Sequence, residues 1–176
     1  MTDDDHGALA PEQLGAYFAL MEAVSLLQHA VEQQLRTEGD LSWVQFQLLA
    51  RLAGVPGRQL TMTALADGVV YSRSGLTYQA AQLEKAGLVT RDPSPDDERA
   101  TLVTITPAGL ERVATVLPGH IQVARHLLFD PLTDGDLHHL GDIMTRVRDH
   151  MRAQPPRSAA PRKRRSPSPD GCQATG

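Results

Sequence analysis

Leu14, Tyr17, Met21, Val24, Gln28, Val31 and Leu35 follow one another at steps of three and four, and all but Gln28 are apolar. That spacing predicts a long amphipathic helix, closed by Gly39 and Asp40. Ser42 with Gln45 three residues on has the form of a capping box, opening a second helix through Trp43, Phe46, Leu48, Leu49 and Leu52. Gly54-Val55-Pro56-Gly57 breaks it. A short helix capped by Thr61 or Thr63 carries Leu65 and Ala66 to Gly68. Ser72 is expected to cap the next, which keeps Leu76, Ala80 and Leu83 on one face and stops at Gly87.

The period then changes. Leu88–Arg91 and Ala100–Ile105 alternate apolar with polar and are rich in β-branched residues, while 92–98 (DPSPDDE) is turn chemistry. This pattern predicts a β-hairpin with a long polar loop. Thr106-Pro107 starts a helix with proline at its first position, running through Leu110, Val113, Leu117, Ile121, Ala124 and Leu128 with a kink at Pro118. Thr133 with Asp136 caps the last helix, whose seam is Leu137, Leu140, Met144, Val147 and Met151.

Four helices, a hairpin and two helices make a mainly α fold with a small β-wing: a winged helix-turn-helix flanked by N- and C-terminal dimerisation helices. Residues 1–9 are expected to be disordered. Residues 10–152 form the patterned domain, with the winged helix-turn-helix at about 42–106 and dimerisation helices at about 10–38 and 107–152. Residues 153–176, rich in Pro, Ser and Arg, form a disordered basic tail. The seams of the first and last helices suit packing within one chain or between two; two helices flanking so small a lobe are hard to bury alone, which favours a homodimer.

In a helix-turn-helix the second helix enters the major groove of DNA. Here it runs from Ser72 to Ala86, and its outer face offers Arg73, Ser74, Thr77, Tyr78 and Gln82, groups able to meet bases or phosphates. No acidic residue interrupts them before Glu84. A polar outer face more often meets only water. The wing changes that weighing: Asp97 and Arg99 sit at its tip, where a guanidinium can enter the minor groove and the carboxylate can brace it. A solvated turn with a weak ion pair is the plainer reading of those two residues taken alone.

Charge complicates the picture. The chain carries −4 overall, yet residues 153–176 hold five basic residues and one acid, so the remaining 152 sum to −8. Phosphate attraction needs positive charge only where DNA lies. The tail's Arg162-Lys163-Arg164-Arg165 either adds sequence-independent attraction or solubilises a loose end. The single cysteine, Cys172, lies in that tail, so no disulfide framework, thiolate metal cluster or catalytic thiol is expected. The acidic N-terminus is unlike a secretory signal, and unbroken apolar runs fall far short of a membrane span. A cytoplasmic protein without membrane contact is expected. His126, His138 and His139 lack metal-ligand spacing, and no phosphate loop or nucleophile elbow is present. The chain is read as neither an enzyme nor a metal or cofactor protein.

SRSGLT at 72–77, LEKAGLV at 83–89, Asp97 with Arg99, and LVTITP at 102–107 together resemble the multiple-antibiotic-resistance regulator (MarR) family of winged-helix transcription factors. The resemblance covers about residues 10–152. It implies a prokaryotic homodimer that binds a pseudo-palindromic double-stranded operator, commonly as a repressor released by a small aromatic or anionic effector bound between dimer helices and DNA-binding lobe. It places Arg73, Ser74 and Thr77 on the recognition helix, Arg99 at the wing tip and Asp97 as its brace. Tyr17, Trp43 and Phe46 lie on helices that could line an effector pocket, although aromatics there are more often core. Two departures stand out: the family often carries arginines where this chain has Tyr78 and Gln82, and redox-sensing relatives have a cysteine near the first helix that is absent here. The alternative is a winged-helix interaction module without sequence-specific DNA binding.

Overall fold

The computed structural model describes residues 8–68, 73–95, 97 and 99–153, with the side chain of residue 73 outside that description. Its elements are α1 (Pro11–Gly39), α2 (Trp43–Ala53), β1 (Gln59–Thr61), α3 (Met62–Gly68), α4 (Arg73–Lys85), β2 (Val89–Pro93), β3 (Thr101–Ile105), α5 (Pro107–Ala124) and α6 (Asp134–Arg152). The fold is mainly helical with a small antiparallel sheet, a winged helix-turn-helix. Expectations for residues 1–7, Ser72 and the tail from residue 154, Cys172 included, lie outside the described residues.

Local chemistry sets the boundaries. Asp40 takes a left-handed conformation (φ 50°) to end α1. Ser42 Oγ accepts from the Gln45 N–H at 3.2 Å while Gln45 Oε1 accepts from the Ser42 N–H at 2.9 Å, so both halves of the box form. Thr61, not Thr63, caps α3: its Oγ1 accepts from the Ala64 N–H at 3.2 Å. Gly87, at φ 73°, terminates α4 as the Leu88 N–H reaches back to the Leu83 carbonyl at 2.9 Å, the left-handed close that glycine makes without strain. Thr133 and Asp136 form their box at the start of α6.

Three features depart from the sequence expectation. The sheet has three strands in the order β1-β3-β2, because Gln59–Thr61 pairs with β3, Leu60 facing Val103. Three residues are too short to show a period of two, and their pairing comes from a strand forty positions on. The wing loop is shorter than expected, since Asp92 and Pro93 join the ladder opposite Leu102 and Thr101. The helix after Pro107 continues through Pro118, and its irregularity is a π turn at Arg125–Phe129, closed by the Asp130 N–H to the Arg125 carbonyl at 2.8 Å.

One core holds the lobe: Leu35 from α1, Leu48, Leu49 and Leu52 from α2, Leu65 from α3, Leu76 and Leu83 from α4, Val89 and Val103 from the strands and Val116 from α5. Apolar burial on that scale is the main stabilising contribution. The α1 seam enters this core only at its C-terminal end. Val31 and Leu35 are buried, whereas Leu14, Tyr17, Met21 and Val24 remain 41–50 % exposed. Nothing in α6 is buried, and Leu137, Ile143, Val147 and Met151 face outward.

Among the described residues α1 is also long and apolar enough, by length and composition, to cross a membrane. Its unbroken apolar runs are short because Gly15, Glu22, Ser25 and Gln28 interrupt them, yet its most apolar stretch carries at most two charged residues. Its C-terminal third is part of the lobe core, as the core helix of a folded domain would be.

Candidate nucleic-acid interface

The helix-turn-helix is α3 and α4. Helix α4 is anchored by Leu76, Ala80 and Leu83, each at most 2 % exposed. At helical spacing this buries one face and turns the other outward. Ser74, Thr77 and Tyr78 are exposed there, Tyr78 at 61 %, and Gln82 is half-buried. Arg73 is the first residue of α4, its side chain outside the description. The four described side chains therefore share one element, on the side away from the core for Ser74, Thr77 and Tyr78.

The end of α3 is held from α2. The Arg51 guanidinium lies against Gly68, its Nη1 3.5 Å from the Gly68 carbonyl, and a Cβ on Gly68 would overlap it. A cation at a helix C-terminus is electrostatically favourable, and a larger residue at 68 would require this guanidinium to move aside.

The described residues of the wing tip are linked through the backbone. The Ser94 N–H donates to the Ala100 carbonyl and the Ala100 N–H to the Asp97 carbonyl, both at 2.8 Å. The Asp97 carboxylate accepts from the Arg99 N–H at 2.9 Å. Asp97 thus braces Arg99 through the main chain rather than by clasping the guanidinium, and Arg99 is exposed. At the wing root, Arg91 Nε and Nη2 both donate to Glu84 Oε2 at 2.9 and 2.5 Å. Sequence reasoning missed this pair, because its partners lie seven residues apart across a helix end and a strand start.

The aromatic candidates separate. Trp43 lines an open cavity of about 560 Å³ between α1, the start of α2 and Gln79 of α4, with Gln28, His29, Glu32 and Arg36 among its walls. Tyr17 and Phe46 are not among the residues lining it: Tyr17 is on the exposed half of α1 and Phe46 is buried core. Glu32 Oε1 takes both Arg36 Nε and Nη2, and Glu32 Oε2 accepts from the Trp43 N–H at 2.6 Å. The four-residue spacing of Glu32 and Arg36 was the signal for that ion pair.

Behind Trp43 sits His120 of α5, its ring 5.9 Å from Trp43 and 4.8 Å from Phe46 between centroids. Its Nδ1 is buried without a hydrogen-bond partner, and burial pulls its pKa below the ordinary histidine value. No periodic signal singled it out. At the opposite extreme, the exposed Asp136 is held below the usual carboxylate range by its hydrogen bonds from Thr133.

Comparisons with known proteins agree with this geometry. The MarR family model matches residues 39–100. Sco3205 of Streptomyces coelicolor, a MarR family transcriptional regulator solved in complex with DNA, is 34 % identical over 87 % of this chain and 94 % of its own, with a TM-score of 0.79. AbsC, a MarR family transcriptional regulator of the same organism, is 28 % identical over 84 % of this chain and 99 % of its own, with a TM-score of 0.77. A putative transcriptional regulatory protein for the hcr operon of Thauera aromatica is 31 % identical over 63 % of this chain, and the match spans 64 % of that relative's length. With its helix-turn-helix, three-stranded wing and flanking helices matched across nearly all of a DNA-bound relative, the chain belongs to the MarR family of transcriptional regulators.

Proposed function

We propose that two copies of this chain bind a pseudo-palindromic operator in the cytoplasm of a prokaryote and repress the genes beside it. The observation that carries this reading is the division of α4 into a face anchored by Leu76, Ala80 and Leu83 and a face exposing Ser74, Thr77 and Tyr78. Those side chains, with Arg73, Gln82 and Ser72, read base edges and phosphates in the major groove. Arg99 enters the adjacent minor groove, with Asp97 shaping the turn that presents it. The role is that of a binding protein and not of an enzyme.

The dimer is supported by the outward apolar faces of α1 and α6, where Leu14, Tyr17, Met21, Val24, Leu137 and Val147 are each more than a third exposed, since grouped apolar surface marks an interface. In this arrangement the lobe at about 42–106 reads DNA, and the helices at about 10–38 and 107–152 join the protomers. Two-fold symmetry then sets the recognition helices roughly 34 Å apart, one turn of DNA.

A small aromatic or anionic effector enters the cavity against Trp43 and releases the operator. The cavity joins α1 of the dimer region to α2 and α4 of the lobe, so a ligand that competes with Glu32 for Arg36 changes the contact between them. Tyr17 and Phe46 have no direct part in this version of the site.

Selection of binding sites from random duplex DNA, at two salt concentrations, tests the proposal. A two-fold pseudo-palindrome should be enriched at both. Binding that is salt-sensitive but indifferent to sequence would overturn it, and absence of binding would favour a winged-helix interaction module.

A further inference from the structure

Among the described residues, the recognition helix and the wing are connected by the backbone turn at Gly87 and by a side-chain ion pair that spans it. Glu84 lies on the last turn of α4, beside the buried Leu83, and Arg91 is the middle residue of β2, opposite Val103. Both donors of Arg91 meet one oxygen of Glu84, at 2.9 and 2.5 Å, and the side chains keep only 26 % and 38 % of their exposure. A planar guanidinium bound through two nitrogens fixes orientation as well as distance, which an ammonium cannot do.

We propose that the Glu84–Arg91 pair is a positioning device for Arg99: it sets the angle between wing and recognition helix, so that the wing tip and α4 engage adjacent grooves together. This rests on the DNA-binding reading above. The described tip residues Ser94, Asp97, Arg99 and Ala100 are bonded to one another, so a swing of the hairpin at its root would carry them together. Arg99 lies four residues from Val103, the residue opposite Arg91, a distance on the order of 13 Å at about 3.3 Å per residue. A root rotation of about 10° would therefore carry the tip roughly 2 Å, well beyond the tolerance of about 0.5 Å within which a binding group must be held. Burial of Leu88 and Val89 also restrains the root, so losing the pair loosens the wing without detaching it.

The pair has a second consequence. Glu84 is the first acid along α4, and bonding to Arg91 offsets its charge where phosphate would be repelled. A single substitution would therefore change both angle and charge. The test must hold net charge constant, as Glu84→Gln with Arg91→Met does.

The experiment is a double-mutant cycle on the full chain, read as affinity for the selected operator, with thermal midpoints recorded for every variant. In the native background Arg99→Ala should weaken binding about tenfold. In the Glu84→Gln/Arg91→Met background the same substitution should cost less than twofold, and reversing the pair as Glu84→Arg/Arg91→Glu should restore most of the difference. Arg91→Lys, which keeps the charge and loses the second donor, should fall between and serves if the double variant fails to fold. An Arg99 penalty equal in all backgrounds, or no penalty in the native chain, overturns the inference while leaving DNA binding intact. A native chain that selects no operator overturns the functional reading, and the inference with it.

Discussion

The carboxylate of Glu32 on α1 accepts a 2.6 Å hydrogen bond from the backbone N–H of Trp43, the first residue of α2. Helix N-termini leave donors without partners, and a carboxylate there is favoured by charge as well as by hydrogen bonding. The same side chain binds Arg36 of its own helix through its other oxygen, which holds the carboxylate in place for the bond to α2. Glu32→Ala should lower stability by about 1–2 kcal/mol, and Glu32→Gln, which can still accept, by less. Urea denaturation with an unchanged m-value checks this; equal losses for the two variants would assign the effect to the charge and not to the hydrogen bond.

Close backbone approach sets a second expectation. A Cβ on Gly109 would overlap the carbonyl oxygen of Leu88, which itself accepts from the Thr106 N–H at 3.0 Å. A backbone oxygen cannot rotate away as a side chain can. Gly109→Ala should therefore cost about 2–3 kcal/mol, at the upper end of overpacking effects. Gly39→Ala meets Val116 Cγ1, a side-chain atom, and should cost less. Thermal unfolding of the two variants gives the order; a larger loss at Gly39 would contradict it.

Acid should weaken the fold in two separate ranges. Burial between Trp43 and Phe46 lowers the His120 pKa, so the native state takes up its proton less readily than the unfolded chain. No penalty exists above the ordinary value of 6.5; it grows as pH falls below that and is complete once pH has passed the lowered native pKa. Asp136 has its pKa lowered by the Thr133 hydrogen bonds, so its contribution is full above 3.8 and is lost as pH falls through its native value. His120→Phe keeps the aromatic contact and should flatten stability against pH in the upper range only. A slope unchanged by that substitution would assign it to other groups.

The legibility of the sequence follows the range of the interactions. Ser42 with Gln45, Thr133 with Asp136, and Thr106-Pro107 act within three residues, and each marks a helix start that the structure contains. Strand β1 was invisible because its identity lies in Val103 and Thr104, not in Gln59–Thr61. At the candidate site the polar face of α4 could be read from its period. The Glu84–Arg91 pair, the Arg51 guanidinium over Gly68 and the buried His120 could not, since each depends on where a second element crosses the first.

The exposed seams give a prediction for assembly. Val24 on α1 and Val147 on α6 are 45 % and 37 % exposed in the single chain. If a second copy covers them, Val24→Glu or Val147→Glu places an unpaired charge in an apolar interface, at several kcal/mol. Each variant should sediment as a monomer at concentrations where the native chain is dimeric, with its lobe still folded by circular dichroism. Native-like sedimentation of both would show that these faces do not meet.

Tyr78 tests the recognition helix most directly. It is 61 % exposed and stands where family members often carry arginine. Tyrosine can stack or donate one hydrogen bond but neutralises no phosphate. Tyr78→Arg should raise affinity for all duplex DNA and steepen the dependence of log affinity on log salt by about one unit per protomer, the signature of one added phosphate contact. If the new guanidinium reaches a base edge instead, guanine should become favoured at one position of each half-site while the slope stays nearly unchanged. A variant that alters neither slope nor selected sequence would place Tyr78 outside the interface and count against the assignment of α4 as the helix that reads DNA.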